Sequence, residues 1–424
     1  MRLSSGEWMK DTCSNSRDYC IYGNPIFMIQ PFDFKNFKML KGMQMKYRKF
    51  GSLDWEVSVL GFGAMRLPII EKDPAQVDEP EAIEMIRYAI DHGVNYVDTA
   101  YPYHEKQGEI VVGKALLDGY REKVKLATKL PSWLVETPDD FDRFLDEQLE
   151  KLQTDHIDFY LLHALNTAYW TKLRDWEVLE WAEGAIADGR IHYLGFSFHD
   201  DFEVFKDIVD AYDKWAFCQI QYNFMDIEYQ AGTKGLQYAA KKGLAAVIME
   251  PLRGGQLTSK IPQSIAALWE SAGVRRTPAD WALQWVWNHP EVSVLLSGMS
   301  TMQHVMENLD SADRSGLAPL SQGELALIDR VREEYRRIAP VACTNCRYCM
   351  PCPNGVEIAA ILEYYNDAVI YDNSRAPRFL YGNLSRDKQA DNCVECFECE
   401  EKCPQGIPIS EYLKKAHALL GNKK

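Results

Sequence analysis

Four side chains suited to proton transfer follow apolar runs that the sequence pattern predicts as buried β-strands. Asp98, Lys129 and His163 each stand at the carboxyl end of one run, and Tyr103 lies in the loop after Asp98. In a parallel α/β barrel, the carboxyl ends of the strands carry the catalytic groups. An acid, a phenol, an ammonium and an imidazole at one end of a barrel suit reduction of a carbonyl by hydride transfer.

Carbonyl reduction requires a proton donor for the developing alkoxide and polar groups that hold the carbonyl oxygen. A free tyrosine titrates near ~10, and a nearby ammonium lowers that value. We therefore predict that Tyr103 is the donor, with Lys129 beside it. Asp98 is expected to pair with Lys129, and His163 to hold the carbonyl oxygen. Taken singly, Asp98 also suits a helix cap, Lys129 a surface charge and His163 a core histidine, but consecutive strand ends favour the catalytic interpretation.

The bulk composition excludes several classes of protein. The 424 residues are 46% hydrophobic, with a formal net charge of −15 and no basic stripe, which argues against a nucleic-acid partner. No apolar run approaches the ~18 residues that a membrane span requires. The first residues contain no continuous apolar core of a secretory signal, so we expect a cytoplasmic protein.

Strand-like runs alternate with helical patterns along most of the chain, which predicts a (β/α)8 barrel. An open doubly wound sheet is the alternative, but Gly61–Arg66 lacks the third glycine of a dinucleotide fingerprint. A hairpin turned at Gly51-Ser52 is expected to close one end of the barrel. The predicted strands are Val59–Gly63, Val94–Val97, Val124–Ala127, Ile157–Leu162, Tyr193–Phe196, Cys218–Gln221, Ala245–Met249 and Ser293–Leu296.

Changes in pattern predict three regions. Residues 1–44 have no helical or strand period and are expected to be a poorly ordered extension, with Met43 or Met45 as the natural start. Residues 45–319 form the barrel, and residues 320–424 form a separate domain. A charged helix from Ser321 to Ile338 is interpreted as a solvent-facing connector between them, and Asn373–Lys388 as a polar loop.

Eight of the eleven cysteines fall in the last quarter of the chain, in two groups that each end in Cys-Pro. The second group has the bacterial ferredoxin spacing, and the first is one residue shorter before its last cysteine. Two 4Fe-4S clusters are favoured over two zinc sites of four thiolates each. By the ferredoxin pattern, the last cysteine of each group ligates the cluster of the other group. The predicted ligands are Cys343, Cys346, Cys349 and Cys352, then Cys393, Cys396, Cys399 and Cys403.

The chain from Tyr47 to Asp310 resembles the aldo/keto reductase family. The most specific stretches are Gly93–Tyr103, Ala127-Thr128-Lys129 and Leu161-Leu162-His163, which match the catalytic residues of that family in order and context. The resemblance implies a TIM barrel that binds an extended nicotinamide dinucleotide without a Rossmann fold. The cysteine tail is similar to the dicluster ferredoxin domain that follows some bacterial aldo/keto reductases.

The resemblance also implies a set of cofactor-binding positions. The segment Pro251–Gly255 looks like the pyrophosphate strap of the family. Basic residues that grip a 2′-phosphate in typical members are absent, because Gly298 and His304 stand near those positions, so NADH and NADPH both stay open. The implied contacts are Met65, Arg66, Asp98, Ser197, Gln219, Met249, Leu252, Arg253, Gly254, Gly298, Gln303, Glu307 and Asn308.

Aromatic residues follow the predicted strand ends and suit a flat or apolar carbonyl substrate, although packing of loops explains them equally well. They are Tyr101, Trp133, Tyr169 and Trp170.

We therefore predict an NAD(P)-linked oxidoreductase that acts on a small-molecule carbonyl or alcohol and carries two 4Fe-4S clusters. Hydride carries two electrons and each cluster normally passes one, so a structural role for the clusters stays open. The main alternative is an electron-transfer protein whose clusters exchange electrons with a redox protein. A regulatory nicotinamide sensor is disfavoured, because a sensor needs no proton donor.

Overall fold

A closed barrel of parallel strands forms the centre of the fold. The computed structural model of the chain describes residues 44–71, 73–317, 319–343, 347–403 and 405–421. An antiparallel hairpin of β1 (Tyr47–Lys49) and β2 (Glu56–Ser58) precedes the barrel. The eight barrel strands follow chain order, and the last pairs with the first. They are β3 (Leu60–Gly63), β4 (Tyr96–Asp98), β5 (Lys125–Leu130), β6 (Ile157–Leu165), β7 (Ile191–Phe198), β8 (Phe217–Gln221), β9 (Ala245–Met249) and β10 (Val292–Ser297). All eight predicted strands and the barrel are confirmed.

Helices alternate with the barrel strands and then continue into the cysteine region, which we define as residues 341–421. The helices that accompany the barrel are α1 (Glu79–Asp91), α2 (Gly108–Ala115), α3 (Asp140–Leu152), α4 (Thr167–Asp175), α5 (Val178–Ala187), α6 (Phe202–Asp210), α7 (Gly232–Lys241), α8 (Gln263–Glu270), α9 (Pro278–Trp287), α10 (Met302–Asp313) and α11 (Gln322–Ile338). Those of the cysteine region are α12 (Ile358–Ile370), α13 (Arg375–Asn383), α14 (Glu398–Glu401) and α15 (Ile409–Leu420).

Helix α1 shows how the local sequence sets an element that leads to the catalytic strand β4. The Asp78 carboxylate caps the helix by accepting from the Glu81 amide at 3.3 Å, and a proline lies in the first turn. Gly93 ends it with φ +97°, where a side chain would be strained and would also meet Met45 at 2.7 Å. The chain then enters β4 directly.

The hairpin closes the amino-terminal end of the barrel, as predicted. Phe50 is fully buried there, with its ring centroid 4.6 Å from that of Phe159. The turn residue Gly51 has φ +56°, and a Cβ on it would lie 2.4 Å from the amide nitrogen of Ala245. The backbone of the turn is therefore in direct contact with the start of β9, and the other end of the barrel, which we call the mouth, is formed by the carboxyl ends of the strands.

Two local interpretations are wrong. Helix α11 is not solvent-facing all round, because Leu327 and Val331, one turn apart, are buried in the same core as the barrel helices. Helix α13 lies within the segment that was interpreted as a polar loop.

The cysteine region has its own apolar core, in which α12 packs against α15. Among the described residues, no helix is both long enough and apolar enough to cross a membrane. The predicted extension at residues 1–44 lies outside the described residues except for Gln44. The boundary between residues 319 and 320 and the cytoplasmic location stay predictions.

Candidate active site and cysteine centre

The predicted acid, phenol and ammonium meet at the mouth of the barrel. Parallel pairing sets Asp98 beside Ala127, and Lys129 lies two residues further along β5. The Lys129 ammonium donates to Asp98 Oδ1 at 2.7 Å and to the Thr99 carbonyl oxygen at 2.7 Å. Its Nζ lies 3.5 Å from the Tyr103 hydroxyl, and the Lys129 side chain is 1% exposed. A dehydrated cation is therefore fixed beside the phenol.

The imidazole of His163 completes the group. The centroids of the Tyr103 and His163 rings are 6.3 Å apart in an edge-to-face arrangement, and the Trp133 ring lies 5.0 Å from His163.

Two of the other predicted mouth aromatics have different contacts. The Tyr101 hydroxyl donates to Glu147 at 2.8 Å on α3, and Trp170 packs against a buried tryptophan.

Burial decides the protonation of the site. Burial raises the pKa of the Tyr103 phenol, and the Lys129 ammonium opposes that rise without reversing it. The sequence interpretation, in which the ammonium lowers this pKa below its ordinary value, is wrong because it left out dehydration. Burial disfavours the Lys129 ammonium too, yet the Asp98 carboxylate holds the pKa of Lys129 above its ordinary value. Burial lowers the pKa of His163 well below its ordinary value, and Lys129 adds to this shift.

These directions fix the charge states at neutral pH. The Tyr103 hydroxyl keeps its proton, Lys129 carries a charge, and the His163 ring is neutral. A neutral imidazole donates one hydrogen bond without adding a second positive charge beside Lys129.

Several buried polar atoms at strand ends have no hydrogen-bond partner among the described residues. They include Asp98 Oδ2, His163 Nδ1 and Gln219 Oε1. Gln219 pairs in register with Ser197 on the neighbouring strand, and both are buried. The Ser197 hydroxyl accepts from the Ala164 amide at 2.7 Å. A buried polar atom without a partner is costly, so these atoms mark where a polar ligand is accommodated.

The strap, Pro251–Gly255, follows Met249 at the end of β9. Gly254 has φ +67°, and a Cβ on it would lie 3.1 Å from Nη2 of Arg66. A Cβ on Gly298, after β10, would lie 3.0 Å from Cδ of the same arginine. Arg66 therefore lies between the two glycines, where the implied dinucleotide positions converge. The neighbouring Met65 is 52% exposed.

The predicted adenosine-end residues lie on α10, after β10. Asn308 donates to the Ser297 hydroxyl at 2.7 Å and is buried. Gln303 donates to Glu307 at 2.7 Å, one turn along the helix. Asn308 thus connects α10 to the last residue of β10.

Arg253 does not have the surroundings that the strap interpretation implies. Its guanidinium contacts three carboxylates: Asp226 at 3.2 Å, Glu363 at 2.8 Å and Asp367 at 2.8 Å. Asp226 belongs to the loop after β8, whereas Glu363 and Asp367 lie on α12 of the cysteine region. We call these four residues the joint.

Sequence reasoning also missed Glu250, which directly follows β9. Its carboxylate lies 3.6 Å from Arg66, and its charge adds to the rise in the pKa of Tyr103, after burial and Asp98. An acid at a strand end was the signal that identified Asp98, and the same signal could have identified Glu250.

Four of the predicted cluster ligands line one cavity: Cys352, Cys393, Cys396 and Cys399. Burial raises the pKa of the Cys399 thiol to about 11, and Glu400 and the neighbouring thiols add to this rise. Thiolates at such a site require a compensating cation, so this donor set suits an iron–sulfur cluster.

Three of the other four predicted ligands are described by the structure. Cys343, Cys349 and Cys403 are partly buried against the core of the cysteine region. Cys346 lies outside the described residues.

A barrel with a buried lysine–aspartate pair, a tyrosine and a histidine at its mouth has the features of a barrel-type oxidoreductase. A model of the aldo/keto reductase family matches residues 59–333, and a model of the 4Fe-4S dicluster domain matches residues 342–407. The first covers more than half of the chain. This protein therefore belongs to the aldo/keto reductase family of oxidoreductases and carries an iron–sulfur domain.

Individual proteins agree with this assignment. The probable aldo-keto reductase 1 of Glycine max is 33% identical over 162 residues, which are 36% of this chain and 45% of that protein. The uncharacterized oxidoreductase YrpG of Bacillus subtilis (strain 168) is 26% identical over 318 residues, covering 64% of this chain and 92% of that protein. A crystal structure of an aldo-keto reductase from Klebsiella pneumoniae in complex with NADPH has a TM-score of 0.56 and 27% identity, covering 68% of this chain and 96% of that chain.

Proposed function

We propose that this protein reduces a carbonyl compound, or oxidises the corresponding alcohol, with Tyr103 as the proton donor and a nicotinamide dinucleotide as the hydride carrier. The observation that carries the proposal is the buried Lys129 ammonium, 2.7 Å from Asp98 and 3.5 Å from the Tyr103 hydroxyl. A protonated phenol beside a fixed cation supports transfer of a proton to a developing alkoxide.

Each residue has a separate part in this chemistry. Tyr103 gives its proton to the carbonyl oxygen, and the Lys129 ammonium stabilises the phenolate that remains. Asp98 holds Lys129 in place and keeps it charged. His163 supports the reaction as a neutral donor that orients the carbonyl oxygen.

The residues of the mouth fit a nicotinamide dinucleotide. Gln219 Oε1, which has no hydrogen-bond partner in the described part of the chain and lies next to Ser197, suits the amide of a carboxamide group. When bound, the dinucleotide supplies the hydride that reduces the carbonyl carbon. Gly254, Gly298 and Arg66 suit its phosphates, because small residues allow close approach and the arginine supplies positive charge. Either NADH or NADPH is compatible with these residues.

We propose that the cysteine region holds two 4Fe-4S clusters. The cavity shared by Cys352, Cys393, Cys396 and Cys399 supports a first cluster with the ferredoxin crossover. The second would be held by Cys343, Cys346, Cys349 and Cys403, on the basis of spacing.

An electron-transfer function is the second candidate, and the exposure of the first cavity favours it. Cys396 is exposed, and the neighbouring Val394 and Phe397 are 64% and 49% exposed. A cluster ligand at the surface with apolar neighbours is suited to electron exchange with a redox protein. This function is compatible with the carbonyl chemistry of the barrel.

Replacement of Tyr103 by Phe tests the main proposal. We expect carbonyl turnover to fall by about 10²–10⁴-fold, because the proton donor is lost. Dissociation constants for NADH and NADPH should change little. Tyr101→Phe is the matched control, since this hydroxyl faces Glu147 on α3, and it should retain turnover. The assay is anaerobic, with a panel of aldehydes and ketones. Full activity of Tyr103→Phe would exclude Tyr103 as the donor.

A further inference from the structure

The strap has a backbone conformation that side chains rarely adopt. Arg253 has φ +50°, and the two residues after it have φ +67° and +90°. Glu250, just before the strap, has φ +55°. A left-handed conformation at a residue with a side chain is strained and persists when surrounding contacts hold it. The contacts that hold Arg253 therefore determine the shape of the strap.

Those contacts come mainly from the cysteine region. Glu363 and Asp367 are one turn apart on α12, and both lie 2.8 Å from the Arg253 guanidinium. The exposed fraction of the Arg253 side chain is 14%. Further along the chain, the Lys260 ammonium donates to Asp372, just after α12, at 2.8 Å. The segment after β9 is thus attached to one helix of the iron–sulfur domain.

The same helix contacts the neighbourhood of both cysteine groups. Ile358, at the start of α12, lines the cavity that contains Cys352 and Cys393. Asn366, in the middle of α12, forms a reciprocal pair of buried hydrogen bonds with the Val341 backbone, at 2.8 and 2.9 Å. A displacement of either cysteine loop would therefore act on α12, and through α12 on Arg253.

We propose that α12 is a clamp through which the iron–sulfur domain positions the strap, with Arg253 as the positioning residue, so that docking of the domain and binding of the nicotinamide dinucleotide reinforce each other. The proposal rests on the proposed function, since it concerns the same dinucleotide site. Coupling between two binding equilibria is reciprocal. Firmer docking of α12 on the strap should tighten dinucleotide binding, and a bound dinucleotide should stabilise the docked position of α12 by the same free energy.

A direct role of Arg253 on phosphate predicts the opposite effect of one variant. If Arg253 is a phosphate ligand, its carboxylate partners compete with phosphate, and removing their charge would tighten binding. If Arg253 positions the strap through α12, removing those charges would release the strap and weaken binding. The double variant Glu363→Gln/Asp367→Asn separates the two roles by the sign of the change.

The experiment uses the full chain with its clusters loaded, under anaerobic conditions and at pH 8.5, where Glu363, whose pKa burial raises to about 8, is mostly ionised. Dissociation constants for NADPH and NADH are measured by calorimetry and tryptophan fluorescence. We expect about tenfold weaker binding in the double variant, within the usual range of coupling between sites. The value of kcat at saturating dinucleotide should change little, since the catalytic residues are untouched. Glu411→Gln, which removes an exposed carboxylate of α15 paired with Lys415, is the control and should bind as the parent does.

Limited trypsin digestion gives a readout that is independent of activity. We expect faster cleavage after Arg253 and Lys260 in the double variant, with slower cleavage when NADPH is added. Unchanged or tighter binding in the double variant would overturn the clamp, and so would unchanged cleavage. If the parent protein binds neither dinucleotide, the proposed function fails and the clamp fails with it. If the parent binds and the double variant binds equally well, only the clamp fails.

Discussion

Two of the buried arginine and lysine sites among the described residues differ in charge balance. At the mouth of the barrel, one ammonium, Lys129, faces one carboxylate, Asp98, and both side chains are at most 3% exposed. At the joint, one guanidinium, Arg253, faces three carboxylates, and those on α12 are 12% and 21% exposed. The first site is neutral as a pair, whereas the second has an excess of negative charge.

This difference in charge balance predicts how the charge of each site depends on pH. In the one-to-one pair, Asp98 holds the pKa of Lys129 above its ordinary value, so the charge beside Tyr103 is kept, although burial raises the pKa of Asp98 as well. An excess of carboxylates makes a site whose protonation follows pH, because burial raises the pKa of Glu363 to about 8 against the opposing effect of Arg253. We therefore expect the charge of the catalytic group to stay constant with pH. The charge at the joint, where the iron–sulfur domain is attached, should vary with pH.

The largest expected effect comes from breaking the balanced pair. Lys129→Met should reduce carbonyl turnover by about 10²–10⁴-fold, because the phenolate of Tyr103 loses its stabilising cation. It also leaves the Asp98 carboxylate buried without a partner, which costs about 3–5 kcal/mol unless the carboxyl is protonated. Steady-state kinetics and thermal unfolding measure the two effects.

Lys125→Met is the matched control for this prediction. Lys125 begins the same strand at the opposite end of the barrel, and its partner Asp158 keeps an ion pair with Arg121 at 2.8 Å. We expect the control to retain turnover. Equal loss of activity in both variants would mean that strand β5 is disturbed and that the mouth has no special dependence on Lys129.

The second largest expected effect is a loss of stability when the cation of the joint is removed. Arg253→Met leaves three buried carboxylates without their cation, so we expect a loss of about 3–5 kcal/mol in apparent unfolding free energy. The variant Glu363→Gln/Asp367→Asn leaves Arg253 paired with Asp226, and should lose less. Calorimetric unfolding of the holoprotein compares the two.

Asp372→Asn is the control, because it removes an exposed ion pair with Lys260 and should leave the unfolding transition unchanged. A transition of Arg253→Met equal to that of the parent would contradict the buried-charge argument.

The smallest effect is a pH dependence located at the joint. The folded-state pKa of Glu363, about 8, is above the ordinary carboxyl value of about 4.3, so the folded state binds more protons between these values. Stability should therefore be greatest below this window and should fall as pH rises toward 8, by at most about 1.4 kcal/mol per pH unit. The charged and titratable groups around Glu363 and its partner Arg253 are Asp226, Asp367, Tyr229, Tyr364 and Tyr371.

Unfolding of the parent and of Glu363→Gln between pH 5.5 and 8.5 measures this dependence. We expect the slope to be smaller in the variant. Identical slopes would assign the pH dependence to other groups.

The sequence was sufficient for the barrel and for the catalytic group because both depend on local patterns. Each apolar run predicts a strand, and parallel strands bring their carboxyl ends to one rim, so Asp98, Lys129 and His163 had to lie near each other. The direction of the Tyr103 pKa was not predictable, because it depends on dehydration by residues distant in sequence. Cys352 was placed with the second cysteine group by the ferredoxin pattern, and the two share a cavity.

The joint could not be predicted, for a related reason. Glu363 and Asp367 lie on α12, and Arg253 is more than one hundred residues away along the chain. A single sequence contains no signal that pairs charges over such a separation. Helix α11 was predicted, but its buried face was missed: its arginines and glutamates dominated the interpretation, although Leu327 and Val331 recur at the spacing of a buried face.

The shared cavity of Cys352 and Cys393 has a consequence for the segment between them. A cluster bound by both cysteines would tie the two ends of this segment together and turn it into a closed loop that carries α12 and α13. Closing a chain removes entropy from its undocked state, and it raises the effective concentration of Glu363 and Asp367 near the strap. Insertion of this cluster would thereby shorten the effective length of the segment that carries α12. It would favour docking of α12 on the strap, and so the assembly of the complete protein.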